Sequence, residues 1–210
     1  MQCQFLRRMP ELEANILKLY QHASDVDTID GLAWYPNAHH IICDWANTYR
    51  LPIATVACVT AALSPQLAWK RNLIIADDVL AGRPPSIGGC LNSCLRKAIR
   101  IRDNRATDTR SYFPQGPKVE SFSRNLAGDY SIATVDTHMV QAALADVEAT
   151  VTLRWLPYAV FSQCYGNVAR TVGLEPAICQ AILWHTWRRL YPRVTKIQRR
   201  RQWHVIGMED

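Results

Sequence analysis

Lys118 and Asp136 are the two side chains in this 210-residue chain whose types and placing suit them to act together chemically. They stand eighteen residues apart. Lys118 follows the turn-forming run Pro114-Gln115-Gly116-Pro117 and precedes a helical pattern, Val119 to Leu126. Asp136 ends a short β-branched run, Ile132 to Val135, and opens Asp136-Thr137-His138 before an apolar pattern that begins at Met139. Each lies at the start of a predicted helix. An aspartate there caps free backbone N–H groups, and the helix dipole favours its negative charge. Uncapped N–H groups at the other helix start form an anion site. A neutral amine is a nucleophile for electrophilic carbon, and desolvation or nearby cations favour the neutral form. A carboxylate stabilises a developing cation or assists proton transfer. The plainer alternatives are an anion-contacting lysine and a structural N-cap aspartate.

The elements that must position this pair are all helices. Apolar residues recur at i, i+3 and i+4 almost everywhere, and strand-like alternation is scarce. The spacing predicts helices over Pro10 to His22, Asn37 to Tyr49, Ile53 to Leu63, Leu67 to Ala81 and Asn92 to Asp103. After the hairpin-like turn come Val119 to Leu126, Met139 to Asp146, Trp155 to Val172 and Pro176 to Leu190. Asp25 to Gly31 reads as a turn leading to Tyr35-Pro36, and Arg83 to Gly89, with two prolines, reads as a linker. The helix from Asn92 is basic, with Arg96, Lys97, Arg100 and Arg102 in helical register.

Turn, lysine, helix and then Val135-Asp136-Thr137-His138 at this separation resemble the core of the helix-hairpin-helix DNA glycosylases, the endonuclease III-like superfamily. The resemblance implies an all-α, two-lobed helical bundle with DNA held across the cleft, and a hairpin and catalytic core at about 91–145. It implies that Lys118 is a nucleophile or lyase residue at C1′ and that Asp136 assists. His138 is expected as a hydrogen-bonding support behind Asp136. Upstream, Leu63-Ser64-Pro65-Gln66 is similar to the family's L-S-x-Q turn, whose glutamine fills the gap left by an extruded base. Gln66 inherits that role, with Trp69, Lys70 and Arg71 beside it as DNA contacts. Gly116 is carried over from the hairpin, and Arg124 on the following helix is a further DNA contact. The hairpin departs from the family's L-P-G-x-G: Pro114 replaces the first glycine and Pro117 precedes the lysine, so two N–H donors are lost.

The resemblance spans about Val56 to Leu144. It implies cleavage of the N-glycosidic bond of a flipped damaged, mismatched or modified base, with or without AP-lyase activity. Two rivals stand beside it. One is a phage enzyme that hypermodifies bases on the same fold. The other is a non-catalytic DNA-binding protein that keeps the aspartate as a cap. Segments such as Gly31-Leu32-Ala33-Trp34-Tyr35-Pro36 are also similar to a group of phage-encoded proteins, which would place the chain in the host cytoplasm.

The bulk properties agree with these expectations. The chain is 49% apolar, a globular composition. Its net charge of +6 favours an anionic partner such as double-stranded DNA. Part of that charge lies in Arg188-Arg189 and in the tail from Arg193 to Arg201, which with Trp187 and Trp203 mixes bases and aromatics. No apolar run approaches a membrane span, and no signal peptide is expected, because Arg7-Arg8 leads into an acidic amphipathic helix. Seven cysteines form no framework and are expected reduced in a cytoplasm. Only Cys164 and Cys179 lie where some family members carry four cluster ligands, so no iron–sulfur cluster is expected. His39 or His40 with Cys43, and Cys90 with Cys94, have metal-like spacing but no second element, so no metal and no cofactor is expected. A monomer is expected.

Overall fold

The computed structural model describes residues 5–104 and 116–192, and the regular structure there is entirely helical. A 3-10 turn at Leu6–Arg8 leads into α1 (Met9–Gln21). Then follow α2 (Asp25–Tyr49), α3 (Ile53–Leu63), α4 (Trp69–Leu80) and α5 (Asn92–Asn104). After the gap come α6 (Pro117–Leu126), α7 (Thr137–Leu144), α8 (Trp155–Thr171) and α9 (Pro176–Leu190). Among the described residues there is no strand, so the all-α expectation is met. The run Ile132 to Val135 is non-helical and pairs with no strand. The hairpin residues Pro114 and Gln115, and the tail from Arg193 onward, lie outside the described residues.

The largest departure from the sequence pattern is α2. The predicted turn at Asp25 to Gly31 and the break at Pro36 are absent, and one 25-residue helix runs through both. Its start is fixed by a reciprocal capping box. Asp27 N–H donates to the Ser24 hydroxyl at 3.2 Å, and Ser24 N–H donates to the Asp27 carboxylate at 2.9 Å. Gly31 serves contact rather than a turn: a Cβ there would lie 2.5 Å from backbone atoms of Ile182. Pro36 is on the exposed side, as is Leu32, whose carbonyl it cannot serve. The segment Arg83 to Gly89 is likewise no free linker. Asp78 accepts from Ser86 N–H at 2.7 Å, from the Ser86 hydroxyl at 2.6 Å and from Arg83 at 3.2 Å.

Burial divides the helices into two groups. One apolar cluster is built from the contiguous run α2 to α6, around Ile42, Val56, Leu63, Ile75, Ile101 and Leu126. The other joins α1 to α7, α8 and α9, around Leu12, Ile16, Met139, Phe161, Tyr165 and Leu183. A third, small cluster of Tyr35 with Ala177, Ile178, Ala181 and Ile182 lies where α2 packs on α9. That is the most extensive helix–helix contact among the described residues. Arg189 locks the end of this seam, donating to Asp27 at 2.8 Å and to the His22 carbonyl at 2.7 Å. Burial alone would raise Asp27, but the Ser24 and Arg189 hydrogen bonds outweigh it and hold the carboxyl below its ordinary range.

Candidate active site

Asp136 is the N-cap of α7. Its Oδ1 accepts from Met139 N–H at 3.0 Å, and its Oδ2 accepts from the Trp184 indole N–H at 3.3 Å. Both carboxylate oxygens are thus engaged from different helices, which fixes the plane of the group. The approach to Asp136 is buried and pinned. Val135 N–H donates to the Tyr158 hydroxyl at 3.1 Å, and the hydroxyls of Tyr158 and Ser162 each donate to the Ala133 carbonyl at 3.3 Å. Asn125 of α6 donates to Thr134 at 2.9 Å. Burial pushes the Tyr158 phenol up to about 12, with the Asp136 and Glu120 charges adding to it. Burial raises Tyr35 and Tyr165 as well, again with Asp136 contributing. Asp136 therefore sits among three phenols that stay protonated at neutral pH.

Lys118 occupies the second position of α6 and is exposed. Gly116 is the N-cap and makes no side-chain capping bond; its φ of −124° needs no glycine. One turn after Lys118, Phe122 enters an aromatic cluster that sequence reasoning missed. Its ring centroid lies 6.0 Å from Trp34, 6.2 Å from Trp69 and 6.4 Å from Tyr35. Trp34 and Trp69 are 5.3 Å apart, and Tyr130 lies 6.2 Å from Tyr35. Trp34, Trp69, Phe122 and Tyr130 are half-buried, so the cluster keeps exposed ring area. Spacing contained the signal for Phe122, since i and i+4 share a helix face.

The cluster continues to Asp136 through α9. The Tyr35 hydroxyl donates to Gln180 at 3.0 Å. Trp184, one turn later, holds Asp136, and one turn later again the Arg188 guanidinium lies 4.5 Å from the Trp184 ring centroid. Side chains from α6, α2 and α9 thus lead from the helix that carries Lys118 toward the carboxylate, Gln180 and Trp184 standing one turn apart on α9.

Gln66 is exposed at the apex of the turn between α3 and α4. Leu67 N–H donates to the Ser64 carbonyl at 3.1 Å, and Gln66 has φ of +60°. Proline at the second position and a left-handed third residue make the type II pattern, where glycine or asparagine is usual. A glutamine there carries about 1–2 kcal/mol of backbone strain. Trp69 belongs to the aromatic cluster, and Lys70 is exposed.

The other expected contacts are committed inside the chain. Arg71 donates to the Gly88 carbonyl. Arg124 pairs with Asp129, Nε to Oδ2 being 2.8 Å. Arg189 is held by Asp27, and Trp187 is buried against Tyr191, ring centroids 4.3 Å apart. His138 does not support Asp136 by a hydrogen bond. Its Nδ1 is buried without a partner, and Trp184 donates to the carboxylate instead.

A groove of about 370 Å³ lies between α6 and α8, lined by Pro117, Glu120, Ser121, Trp155, Tyr158 and Arg170 among others. Neither Lys118 nor Asp136 lines it. Among the described residues no group of three or more His, Cys, Asp or Glu side chains is placed to hold a metal ion. None of the described helices is long and apolar enough to cross a membrane.

Neither curated proteins nor solved structures yield a match to this chain. A family model spans residues 6–190, which include every described helix, and on that match the chain belongs to DUF7178, a family of unknown function.

Proposed function

We propose that the protein is a DNA glycosylase of the helix-hairpin-helix type, acting at the C1′–N bond of a base extruded from the duplex. The observation that carries this reading is the sequence of side chains from Phe122 of α6 through Tyr35 and Gln180 toward Trp184, which holds a half-buried carboxylate with both oxygens fixed. Division of the helices into a contiguous α2–α6 cluster and an α1 plus α7–α9 cluster supports two lobes with a cleft at their seam. The left-handed Gln66 supports a residue presented for insertion, since strain of this kind concentrates at functional turns.

Each residue then has a physical role. Asp136 stabilises the oxocarbenium-like sugar as the base departs, from a position that needs no reorganisation. The half-buried rings of Trp34, Trp69 and Phe122 offer a stacking surface to bases. Lys118 attacks C1′ as the neutral amine, gives a Schiff base and permits β-elimination. It is exposed in the free protein, where a bound duplex can reach it. The internal commitments of Arg71, Arg124 and Arg189 leave fewer cations for a protein that only grips phosphate, which favours an enzyme over a simple binder.

The deciding experiment is borohydride trapping on duplexes bearing damaged, mismatched and hypermodified bases, with Lys118→Ala and Asp136→Asn beside the wild type. The expected result is a covalent band that Lys118→Ala abolishes. Alkali-labile sites without a band, dependent on Asp136, would make the enzyme monofunctional. Tight binding with neither signal would overturn the glycosylase reading in favour of a base-remodelling enzyme or a binding protein.

A further inference from the structure

The groove between α6 and α8 is separate from Asp136, and its walls hold two features that the fold does not require. The first is Gly166, which lies inside α8, where glycine weakens a helix relative to alanine. Gly31 is required by the close passage of Ile182, but Gly166 has no such neighbour. Outside the helix backbone, a Cβ there would meet only Arg170 Nη1 and Pro176 Cγ, both at 3.9 Å, which is ordinary contact. Gly166 is buried and lines the groove, so the side chain it lacks is space kept open there. The second feature is Glu120 on the α6 wall. It is half-buried, and its carboxylate enters no hydrogen bond or ion pair with another described residue.

Two further lining residues stand toward the ends of the α8 wall. Trp155, the first residue of the helix, is 46% exposed. Arg170, in the last turn, donates to Asn167 through Nη2 and brings Nη1 back toward Gly166. Trp155, Ser162, Gly166 and Arg170 share one face of α8, and Trp155 to Gly166 covers about 16 Å of helix axis. The volume of about 370 Å³ falls in the range of small-molecule sites.

We propose that this groove binds a guanine nucleotide, with Glu120 on the base edge, Trp155 against the ring, Gly166 as the floor and Arg170 on the phosphate. A carboxylate offers only acceptors. Guanine alone among the common bases sets two N–H donors side by side on its pairing edge, N1–H and the N2 amino group, to meet two carboxylate oxygens. Adenine, cytosine and thymine each place an acceptor beside the donor, and that acceptor would face the negative charge. An indole stacks on any base, so the selection rests on Glu120. A guanidinium pairs with phosphate oxygens. Packing alone would explain a groove, but neither the glycine in its floor nor the carboxylate in its wall.

The test is isothermal titration calorimetry of the 210-residue chain with GMP, IMP and AMP. GMP should bind, and IMP, which lacks the N2 amino group, should bind about tenfold more weakly. AMP should be weaker still. Glu120→Gln presents an N–H to guanine's donors in place of one acceptor, so it should weaken GMP about tenfold at an unchanged melting temperature. Gly166→Ala should raise the melting temperature by about 2–4 °C while weakening GMP, because the methyl group fills the floor. No heat with GMP at up to about 1 mM, or AMP bound as tightly as GMP, overturns the proposal. Wild-type GMP affinity in either variant overturns it equally. Displacement of GMP by a duplex with a bulged guanine would identify the source of the ligand as nucleic acid, and persistence of the complex would identify free nucleotide; both support the guanine site. None of these titrations contains an excision substrate, so they stand apart from the glycosylase reading.

Discussion

The indole N–H of Trp184 donates to Asp136 Oδ2 at 3.3 Å, joining the middle of α9 to the N-cap of α7 across 48 residues of sequence. The remaining Asp136 oxygen is taken by the backbone of its own helix. Trp184→Phe removes the N–H donor together with part of the indole and leaves an aromatic face for Arg188. If Asp136 stabilises the reacting sugar, base excision should fall about tenfold, roughly 1.4 kcal/mol of transition-state stabilisation. KM for DNA should stay near the wild-type value, because the change touches orientation and not binding. Single-turnover kinetics on the substrate found by trapping would check this; an unchanged rate constant would remove Trp184 from the site.

Gln66 offers a test in which stability and activity move in opposite directions. Glycine adopts φ of +60° without a Cβ penalty, so Gln66→Gly should stabilise the fold by about 0.5–1 kcal/mol after the unfolded-state entropy of glycine is counted. The same substitution deletes the side chain proposed to fill the base stack, so excision should drop. Thermal melting and excision assays on one preparation would show both effects. A loss of stability would mean that the amide makes native contacts the free protein relies on.

Gly31 sits against the backbone of Ile182 with no room for a methyl group. Gly31→Ala should force α2 and α9 apart and cost about 3 kcal/mol, at the upper end of overpacking penalties. Urea unfolding should show a lower midpoint with an unchanged slope. A nearly neutral effect would mean that the seam yields more readily than its close approach suggests.

Alkaline pH should unfold the protein for a reason visible at Tyr158. Its folded phenol is raised to about 12, above the unfolded value near 10. The folded state therefore holds its proton more tightly, and this contribution to stability is complete below about pH 10 and is lost as pH rises toward 12. Tyr35 and Tyr165, shifted in the same direction by burial, steepen the fall. Melting temperatures from pH 8 to 11 should decline, and less steeply in Tyr158→Phe, which also forfeits the bonds to Val135 and Ala133.

Much of this architecture could be read from apolar periodicity, with Ser24, Asp136 and the prolines at 10, 52, 117 and 176 marking helix starts. Asp136 as N-cap and Lys118 in the first turn of α6 followed from residue type and local order. The failures have local causes. Gly31 and Pro36 look like breakers, yet one is small because Ile182 passes over it and the other faces water; the Ser24-to-Asp27 capping signal just upstream outranks both. Trp184, Gln180 and Tyr35 reach the site only through packing between α2, α7 and α9, which no spacing encodes. Cys43 and His39 were visible as an i, i+4 pair, but the Leu126 carbonyl that sets the ring's tautomer comes from 87 residues away.

The cluster shared by α1 with α7, α8 and α9 is discontinuous in sequence, whereas the α2–α6 cluster is continuous. A ribosome delivering this chain from its N-terminus would release everything the continuous half requires before α7 is complete. Helix α1 would meanwhile wait with the apolar face of Leu12 and Ile16 unpaired until α8 and α9 emerge. Folding should therefore finish by docking both ends of the chain onto a half already formed, and the late closure of so long a loop sets its pace. Truncations ending after α6 should consequently retain helical structure while exposing α1 to chaperones and proteases.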